Sequence, residues 1–389
     1  MFGNDITKYF SLDEISHEEI QEIFRIRYKT SWRVAKDEFT FPAAHSYVLK
    51  LKLRDGHVVK ITAGELLSKE ELHELLEQVE ADLNDERIAE YGVEILFADR
   101  PVVGGFRFGS LPMQILPPPP EAPRPTNAGE GEHPFVLEYP MRAHRTPELR
   151  LKRRYNNAVK WARILNALLY GSIGWYSSPR PRQMWVTKSG DIEGPSFRAN
   201  KAYCFPARRI LTNELSEQTA LLPVVPADAY FGGPRSRAQA DLPMDTFFIP
   251  DNLDQLVAAF LRLDSARQRQ FLRCANSIYI ARELWDVSVS SYFLACVQAI
   301  ETLVGRSKEN RTERVKKFID KYCVTADTDR SIVNDLYKVR SDIVHGSYLF
   351  QLDATPGFFN AAASSQELET FGPALTLAKD GLRKWLLSQ

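Results

Sequence analysis

The sequence "LYKVRSDIVHG", residues 336–346, places an arginine and a histidine five positions apart. A guanidinium binds phosphate through its fork of N–H donors, and an imidazole gives or takes a proton near neutral pH. Five residues correspond to about 140° around an ideal helix, so Arg340 and His345 do not share a face. They can meet on one ligand if the helix ends there, and Gly346 is typical of the position just past a helix end.

Two apolar stripes predict the helices that would position this pair. Apolar residues recur at i, i+4, i+7 and i+11 within residues 293–304 and again within residues 332–343, which is typical of helices packed in a bundle. Glu301 and Arg340 flank the two stripes at the same offset. If these helices pack antiparallel, the carboxylate can hold the guanidinium half-buried and aim its fork at a phosphate.

Asp342 and the predicted helix end are both expected to affect the imidazole of His345. Asp342 lies three residues before His345, near enough on a helix to orient the imidazole, and the negative end of the helix dipole favours the protonated ring. The residues alone leave two interpretations open. Either a fixed cation lies beside a titratable acid or base, or Glu301 and Arg340 form a buried, fold-specifying ion pair and His345 only closes the helix.

The segment "LYKVRSDIVHG", with "ACVQAIETLVG" upstream, resembles the Rx4-6H signature of HEPN domains and is similar to the ApeA-like branch of that superfamily. The resemblance covers roughly residues 263–389, about a third of the chain. It implies a helical bundle that forms a homodimer, with the two Rx4H motifs facing each other across a twofold axis. Active members are metal-independent endoribonucleases, hydrolases that act in antiviral defence or as toxins.

Carried over to this sequence, the resemblance makes Arg340 and His345 the catalytic pair, supported by Glu301 and Asp342. RNA carries its own nucleophile, the 2′-hydroxyl group, so such a site needs no metal or other cofactor. His345 would act as general acid or base, and Arg340 would bind the scissile phosphate. The expected products end in a 2′,3′-cyclic phosphate and a 5′-hydroxyl group.

Tyr337 and Ser341 flank the motif arginine, and the resemblance implies that they bind substrate. Ser341 occupies the position that is often Asn, Asp or His in active members. The alternative function is therefore a catalytically inactive HEPN scaffold, which would bind RNA or protein and serve as a dimerisation module.

The middle of the chain is strongly basic although the chain as a whole has no net charge. Residues 141–210 hold 15 basic and 3 acidic residues, whereas residues 1–100 hold 13 basic and 21 acidic ones. Aromatic residues interleave with these cations, a combination that RNA recognition uses. The substrate-binding candidates in this region are Arg150, Lys152, Arg153 and Arg154. The equally simple interpretation is a core of aromatic residues with a solvated basic face.

The predicted fold class is an α+β multidomain protein, in which a mixed α/β N-terminal region precedes an all-α, HEPN-like helical bundle. Four segments follow from the patterns: a small α+β domain, a Pro/Gly-rich linker or loop, a basic mixed α/β region, and the bundle, at residues 1–110, 111–137, 138–252 and 253–389. Whether the first and third segments form one domain or two is left open. Residues 1–260 would recruit substrate, or sense a trigger or regulatory protein that releases the bundle.

Composition indicates the structural class of the protein and the compartment in which it is expected. A hydrophobic fraction of 44% is ordinary for a globular protein, and neither a leader peptide nor a membrane span is evident, so a cytoplasmic protein is expected. The cysteines have no metal-ligand spacing, and they predict reduced, mostly buried thiols. They are Cys204, Cys274, Cys296 and Cys323.

Overall fold

The computed structural model describes most of the second half of the chain and parts of the first half. The described residues are 4–5, 22–24, 32–35, 38–43, 46–54, 57–64, 69–83, 89–118, 133–144, 146–169, 173–174, 220–231, 245–285, 287–305, 311–323, 330–350, 353 and 361–389. The chain divides into two compact units. One comprises residues 1–92 and 140–157, and the other comprises residues 93–139 and 158–389.

The first unit contains an antiparallel sheet with strand order β1-β5-β4-β3-β2. Its strands are β1 (Asn4–Asp5), β2 (Trp32–Ala35), β3 (Glu38–Ala43), β4 (Ser46–Arg54) and β5 (His57–Ala63), and helix α1 (Lys69–Leu83) follows them. Strands β4 and β5 pair antiparallel as far as Arg54 and His57.

A second sheet has the order β10-β6-β9-β8-β7. Its strands are β6 (Ala89–Ala98), β7 (Phe106–Arg107), β8 (Gln114–Leu116), β9 (His133–Arg142) and β10 (Ile173–Gly174). Two short parallel strands, β11 (Val224–Val225) and β12 (Ile249–Pro250), form a separate pair.

Strands lie at both ends of the segment predicted as a linker or loop, residues 111–137. Strand β8 lies inside it with all three residues buried, and β9 begins inside it at His133. The apolar side chains of these strands contribute to the core. The composition of the whole segment does not indicate them, because the residues between the strands are rich in proline and glycine. Residues 119–132, which carry most of that proline and glycine, lie outside the described residues.

The paired glycines of "VVGGFRFGS" allow a close backbone approach. The Gly105 N–H donates to the Ala220 carbonyl at 2.8 Å, and the Leu222 N–H donates to the Gly105 carbonyl at 2.9 Å. A Cβ atom at Gly104 would lie 2.5 Å from the Leu221 carbonyl carbon, a separation that sterics forbid. The absence of a side chain at these glycines therefore lets two backbone segments approach closely.

Helices dominate the second half of the chain, as predicted. The helices after α1 are α2 (Pro147–Leu168), α3 (Ala227–Phe231), α4 (Leu253–Arg262), α5 (Ser265–Leu284), α6 (Val289–Val304), α7 (Arg311–Tyr322), α8 (Arg330–Val344) and α9 (Ala361–Leu387). Asp264 separates α4 from α5 as an N-cap, because its carboxylate accepts from the Arg267 N–H at 2.8 Å. None of the helices in the described ranges combines the length and apolar content that a bilayer span requires.

The two predicted apolar stripes lie in the core of the second unit. Phe293, Val297 and Ile300 of α6 are buried, and so are Leu336 and Ile343 of α8. Helix α6 packs against α5, α7, α8 and α9, so it is the central element of the helical region. The polar residue on the edge of its stripe, Glu301, is consequently surrounded by protein.

Two buried cations of α9 bind the end of α2. Lys379 Nζ donates to the Leu169 carbonyl at 2.7 Å, and Arg383 donates to the Leu168 carbonyl and pairs with Asp380. Helix C-termini leave carbonyl groups without partners, and cations there are favoured by the helix dipole. The helical region thus completes the end of α2, an element that lies outside residues 253–389.

Burial gives Lys379 an unusual titration. Removal from water, reinforced by the charges of Arg383 and Arg282, lowers the pKa of Lys379 to about 7. An unfolded lysine has a pKa of about 10.4, so between these two pH values the unfolded chain binds one more proton than the folded chain. Stability that depends on Lys379 therefore rises with pH over this interval, because deprotonation relieves the cost of a buried charge.

Replacing Lys379 by methionine is expected to remove this rise. Between pH 8 and 10, the free energy of unfolding of Lys379→Met should increase with pH less steeply than that of the wild type, by up to about 1.4 kcal/mol per pH unit. Urea unfolding at a series of pH values measures this dependence of the unfolding free energy on pH. Lys384→Met changes an exposed lysine of the same helix and should follow the wild type. Parallel curves for Lys379→Met and the wild type would show that Lys379 does not have this lowered pKa.

Candidate functional site

The predicted pairing of Glu301 with Arg340 is confirmed. Helix α6 carries Glu301, whose side chain is 4% exposed, and α8 carries Arg340, whose side chain is 28% exposed. Arg340 Nη2 lies 3.4 Å from Glu301 Oε1. The carboxylate is thus on the protein side of the pair and the guanidinium is on the solvent side. A buried carboxylate without such a partner would be costly.

Tyr337 binds the same carboxylate oxygen. Its hydroxyl group donates to Glu301 Oε1 at 3.0 Å, and the Arg340 guanidinium carbon lies 5.9 Å from the centre of its ring. Burial raises the pKa of Tyr337, and the Glu301 charge raises it further. The structure therefore brings Tyr337, Glu301 and Arg340 into one cluster, in which the Tyr337 hydroxyl group is engaged by protein.

Helix α8 ends in a complete Schellman turn. Gly346 has a φ of +73°, its N–H donates to the Ile343 carbonyl at 3.0 Å, and the Ser347 N–H donates to the Asp342 carbonyl at 2.9 Å. His345 is thereby the last residue with a helical backbone bond, from its N–H to the Ser341 carbonyl at 3.0 Å. The predicted helix end at His345 and Gly346 is confirmed.

The imidazole of His345 is exposed, and the supporting contact from Asp342 is not formed. In the part of the chain that the structure describes, no hydrogen bond or ion pair joins this ring to Arg340 or to Asp342. Asp342 contributes its backbone carbonyl to the turn, and Ser341 is half-buried. Within one chain, the structure therefore brings together Arg340, Glu301 and Tyr337 but leaves His345 apart from them.

A carboxylate that sequence reasoning missed ties the segment after His345 to the start of α6. Asp353 accepts from the backbone N–H groups of Val289 and Ser290 at 2.8 and 2.7 Å, and from the Ser288 hydroxyl group at 3.0 Å. The Ser290 hydroxyl group in turn accepts from the Phe350 N–H at 3.1 Å. The helix that carries Glu301 is thus capped by the same segment that closes the helix carrying Arg340.

The titration of Asp353 follows from these contacts. Burial raises the pKa of Asp353, but the hydrogen bonds from Ser290, Val289 and Ser288 outweigh it and leave the pKa below its usual value. Hydrogen bonds to the charged form favour that form. The stability that Asp353 contributes is therefore present at neutral pH and is lost as the pH falls through its folded-state pKa.

Asp353→Ala is expected to lower the free energy of unfolding by about 1–3 kcal/mol at pH 7, because two N–H groups and a hydroxyl group lose a charged acceptor. Chemical denaturation measures the change, and it should shrink in acid. Asp320→Ala removes an exposed carboxylate of α7 and should have an effect near zero. An Asp353→Ala protein as stable as this control would show that the cap is unimportant.

The basic residues at 150–154, in the first unit, differ in their availability to a polyanion. Arg154 is exposed, as is Arg150, which pairs with Glu90 at 3.3 Å, and the Lys152 ammonium group lies 5.5 Å from the centre of the Tyr155 ring. Arg153 is buried and donates to the Ala143 carbonyl at 3.2 Å. Arg153 is therefore committed to the fold. The cations of the basic middle at positions 180–209 lie outside the described residues.

The cysteines that the structure describes are buried thiols, as predicted. They are Cys274, Cys296 and Cys323, whereas Cys204 lies outside the described residues. Burial raises the pKa of Cys296 to about 12, so this thiol stays protonated at neutral pH. Among the described side chains, no group of three or more His, Cys, Asp or Glu residues could hold a metal ion.

Comparison of the chain with models of protein families, with curated proteins and with solved structures finds no match.

Proposed function

We propose that the chain is a metal-independent endoribonuclease of the HEPN type, active as a homodimer in which two copies of the Arg340/His345 motif face each other. In each site, His345 of one or both subunits exchanges a proton with the attacking 2′-hydroxyl group or the departing 5′-oxygen. Arg340 binds the scissile phosphate and stabilises the charge that grows on it. The fragments end in a 2′,3′-cyclic phosphate and a 5′-hydroxyl group.

The observation that carries this proposal is the placement of Arg340. Its guanidinium is held from inside by a nearly fully buried carboxylate, while more than a quarter of its side chain faces solvent. An arginine fixed in this way presents N–H donors to an incoming anion without a large loss of side-chain entropy. An exposed imidazole, that of His345, lies at the end of the same helix.

The separation of His345 from Arg340 within one chain supports a dimeric site over a monomeric one. Five residues of helix turn the two side chains away from each other, and among the described residues no hydrogen bond or ion pair joins them. A second copy would supply the missing member of each pair. Val344 and Leu349, on either side of the motif, are apolar and more than half exposed, which suits them to contact with that copy.

The catalytic test compares cleavage of labelled RNA in EDTA by the wild type, Arg340→Ala and His345→Ala. Each substitution should lower the rate by at least about 100-fold, because it removes the phosphate-binding cation or the proton carrier. Lys338→Ala removes an exposed cation of the same helix and should cut normally. Folding is checked by circular dichroism. Cleavage at the wild-type rate by either alanine variant would refute the mechanism, and sequencing of fragment ends would identify the cut.

The dimer is tested by sedimentation of the full chain at micromolar concentration. The wild type should sediment as a dimer, whereas Leu349→Asp should shift towards the monomer and lose cleavage, because a charge would be buried at the contact. Ile280→Asp alters an exposed apolar residue of α5 and should leave the dimer intact. A monomeric wild type would argue against both the catalytic and the scaffold function.

The second candidate function is a non-catalytic HEPN scaffold that binds RNA or protein. It is favoured by the missing contact between Asp342 and His345 and by the serine at position 341. In that case the Glu301–Arg340 pair specifies the fold, and the exposed cations near Arg150 bind the partner. Retention of labelled RNA without cleavage would support the scaffold. For the catalytic function, a role in antiviral defence or as a toxin would require a restraint on cleavage, which we assign to residues 1–260.

A further inference from the structure

The part of α2 that lies in the first unit exposes apolar side chains to solvent. Leu151 is 68% exposed and Tyr155 is 42% exposed, although the solvent side of a helix in a globular protein is normally polar. The two residues are four positions apart, so they lie on one side of the helix and form a ridge. Adjoining exposed apolar side chains, unlike scattered ones, are typical of an interaction site.

Cations lie on both sides of this ridge. At 100° per residue, Arg150 and Arg154 form a row about 100° around the helix on one side, and Lys152 lies about 80° around on the other. Both arginines are exposed, and Lys152 Nζ lies 5.5 Å from the centre of the Tyr155 ring. We call this surface the α2 face; it comprises Arg150, Leu151, Lys152, Arg154 and Tyr155.

The α2 face is held towards solvent by the opposite side of the helix. Leu149 and Arg153 are buried there, and Arg153 donates to the Ala143 carbonyl at 3.2 Å. Arg150 Nε donates to the His144 carbonyl at 3.3 Å, yet 44% of the Arg150 side chain stays exposed. The ridge and its cations are therefore preorganised, which lowers the entropy cost of binding a ligand.

We infer that the α2 face binds single-stranded RNA, with a base stacked on Tyr155 and the neighbouring phosphates on Arg150 and Arg154. Arginine forks match the geometry of phosphate oxygens. Aromatic rings beside cations hold single strands without reading their sequence. This inference rests on the proposed function, and adds to it a substrate-holding surface outside the Arg340/His345 motif.

The make-up of the α2 face favours unpaired RNA over other polyanions. In a duplex the bases are stacked on one another, so a tyrosine on a helix surface cannot stack on them. A helix that lies on a membrane buries a large apolar face in the lipid, whereas the apolar part of the α2 face consists of Leu151 and Tyr155. Charge and a single aromatic ring therefore dominate this surface.

The test measures binding of a labelled, single-stranded 2′-O-methyl RNA to the full chain; this probe lacks the 2′-hydroxyl nucleophile. Tyr155→Ala should weaken binding at least about fivefold, because one stacked base is lost. Tyr155→Phe should bind like the wild type. Tyr155→Leu should resemble Tyr155→Ala, since leucine keeps the apolar area but has no aromatic face. Tyr322→Ala is the matched control, because Lys321 Nζ lies 4.8 Å from the centre of the Tyr322 ring, and it should leave the affinity unchanged.

The arginines have a separate readout, the dependence of affinity on salt. Arg154→Gln should reduce the slope of log affinity against log salt concentration by about 0.7, the contribution of one phosphate contact to a single strand. Lys384→Gln, which changes an exposed cation of α9, should keep the wild-type slope. A wild-type slope for Arg154→Gln would overturn the phosphate contact.

Competition identifies the class of ligand. Unlabelled single-stranded RNA should displace the probe at lower concentration than an RNA duplex of the same length or vesicles that contain phosphatidylserine. Better displacement by the duplex or by the vesicles would overturn the assignment to unpaired RNA. Equal binding by Tyr155→Leu and the wild type would overturn base stacking and leave a merely apolar contact.

The inference and the proposed function fail in different experiments. If Tyr155→Ala binds the probe like the wild type, or if the wild type does not bind it, the inference is overturned whatever Arg340→Ala does to cleavage. If Tyr155→Ala loses binding but the wild type cuts no RNA, the α2 face stands and the endoribonuclease fails. If the wild type does cut, Tyr155→Ala should raise KM and change kcat little, because Tyr155 does not touch the reacting atoms.

Discussion

The helical region depends on one physical constraint, the burial of the Glu301 carboxylate at the centre of its packing. A carboxylate that is 4% exposed must be paired or hydrogen-bonded, and Tyr337 and Arg340, which both contact it, come from α8. Their positions therefore fix the rotation of α8 about its axis relative to α6. A single buried charge thus orients these two helices against each other.

The two ends of α6 are used in complementary ways. Its first turn receives the carboxylate of Asp353, and its last turn, next to Glu301, receives the side-chain amide of Gln270 on the Thr302 and Leu303 carbonyls at 3.0 and 2.8 Å. Both ends of the helix are thereby satisfied by distant residues. The helix is held along its axis as well as around it, which gives Glu301 a fixed position.

Part of this arrangement could be predicted because it is local or periodic. Helical spacing put Glu301 and Arg340 on the edges of apolar stripes, and Gly346 marked the end of α8 by its residue type alone. The cap from Asp353 could not be predicted, because it joins residues 64 positions apart through a segment with no periodic pattern. Arg153 looked like a surface cation in a basic run, but its burial depends on packing that composition does not express.

The contact between Lys379 and the Leu169 carbonyl has a consequence for the order of folding. It closes a loop of 210 residues between the end of α2 and α9. During synthesis, the end of α2 leaves the ribosome long before α9 exists. The contact at the end of α2 can form only after Lys379 has emerged. A nascent chain thus carries the residues around Arg340 before it carries the helix that completes their surroundings.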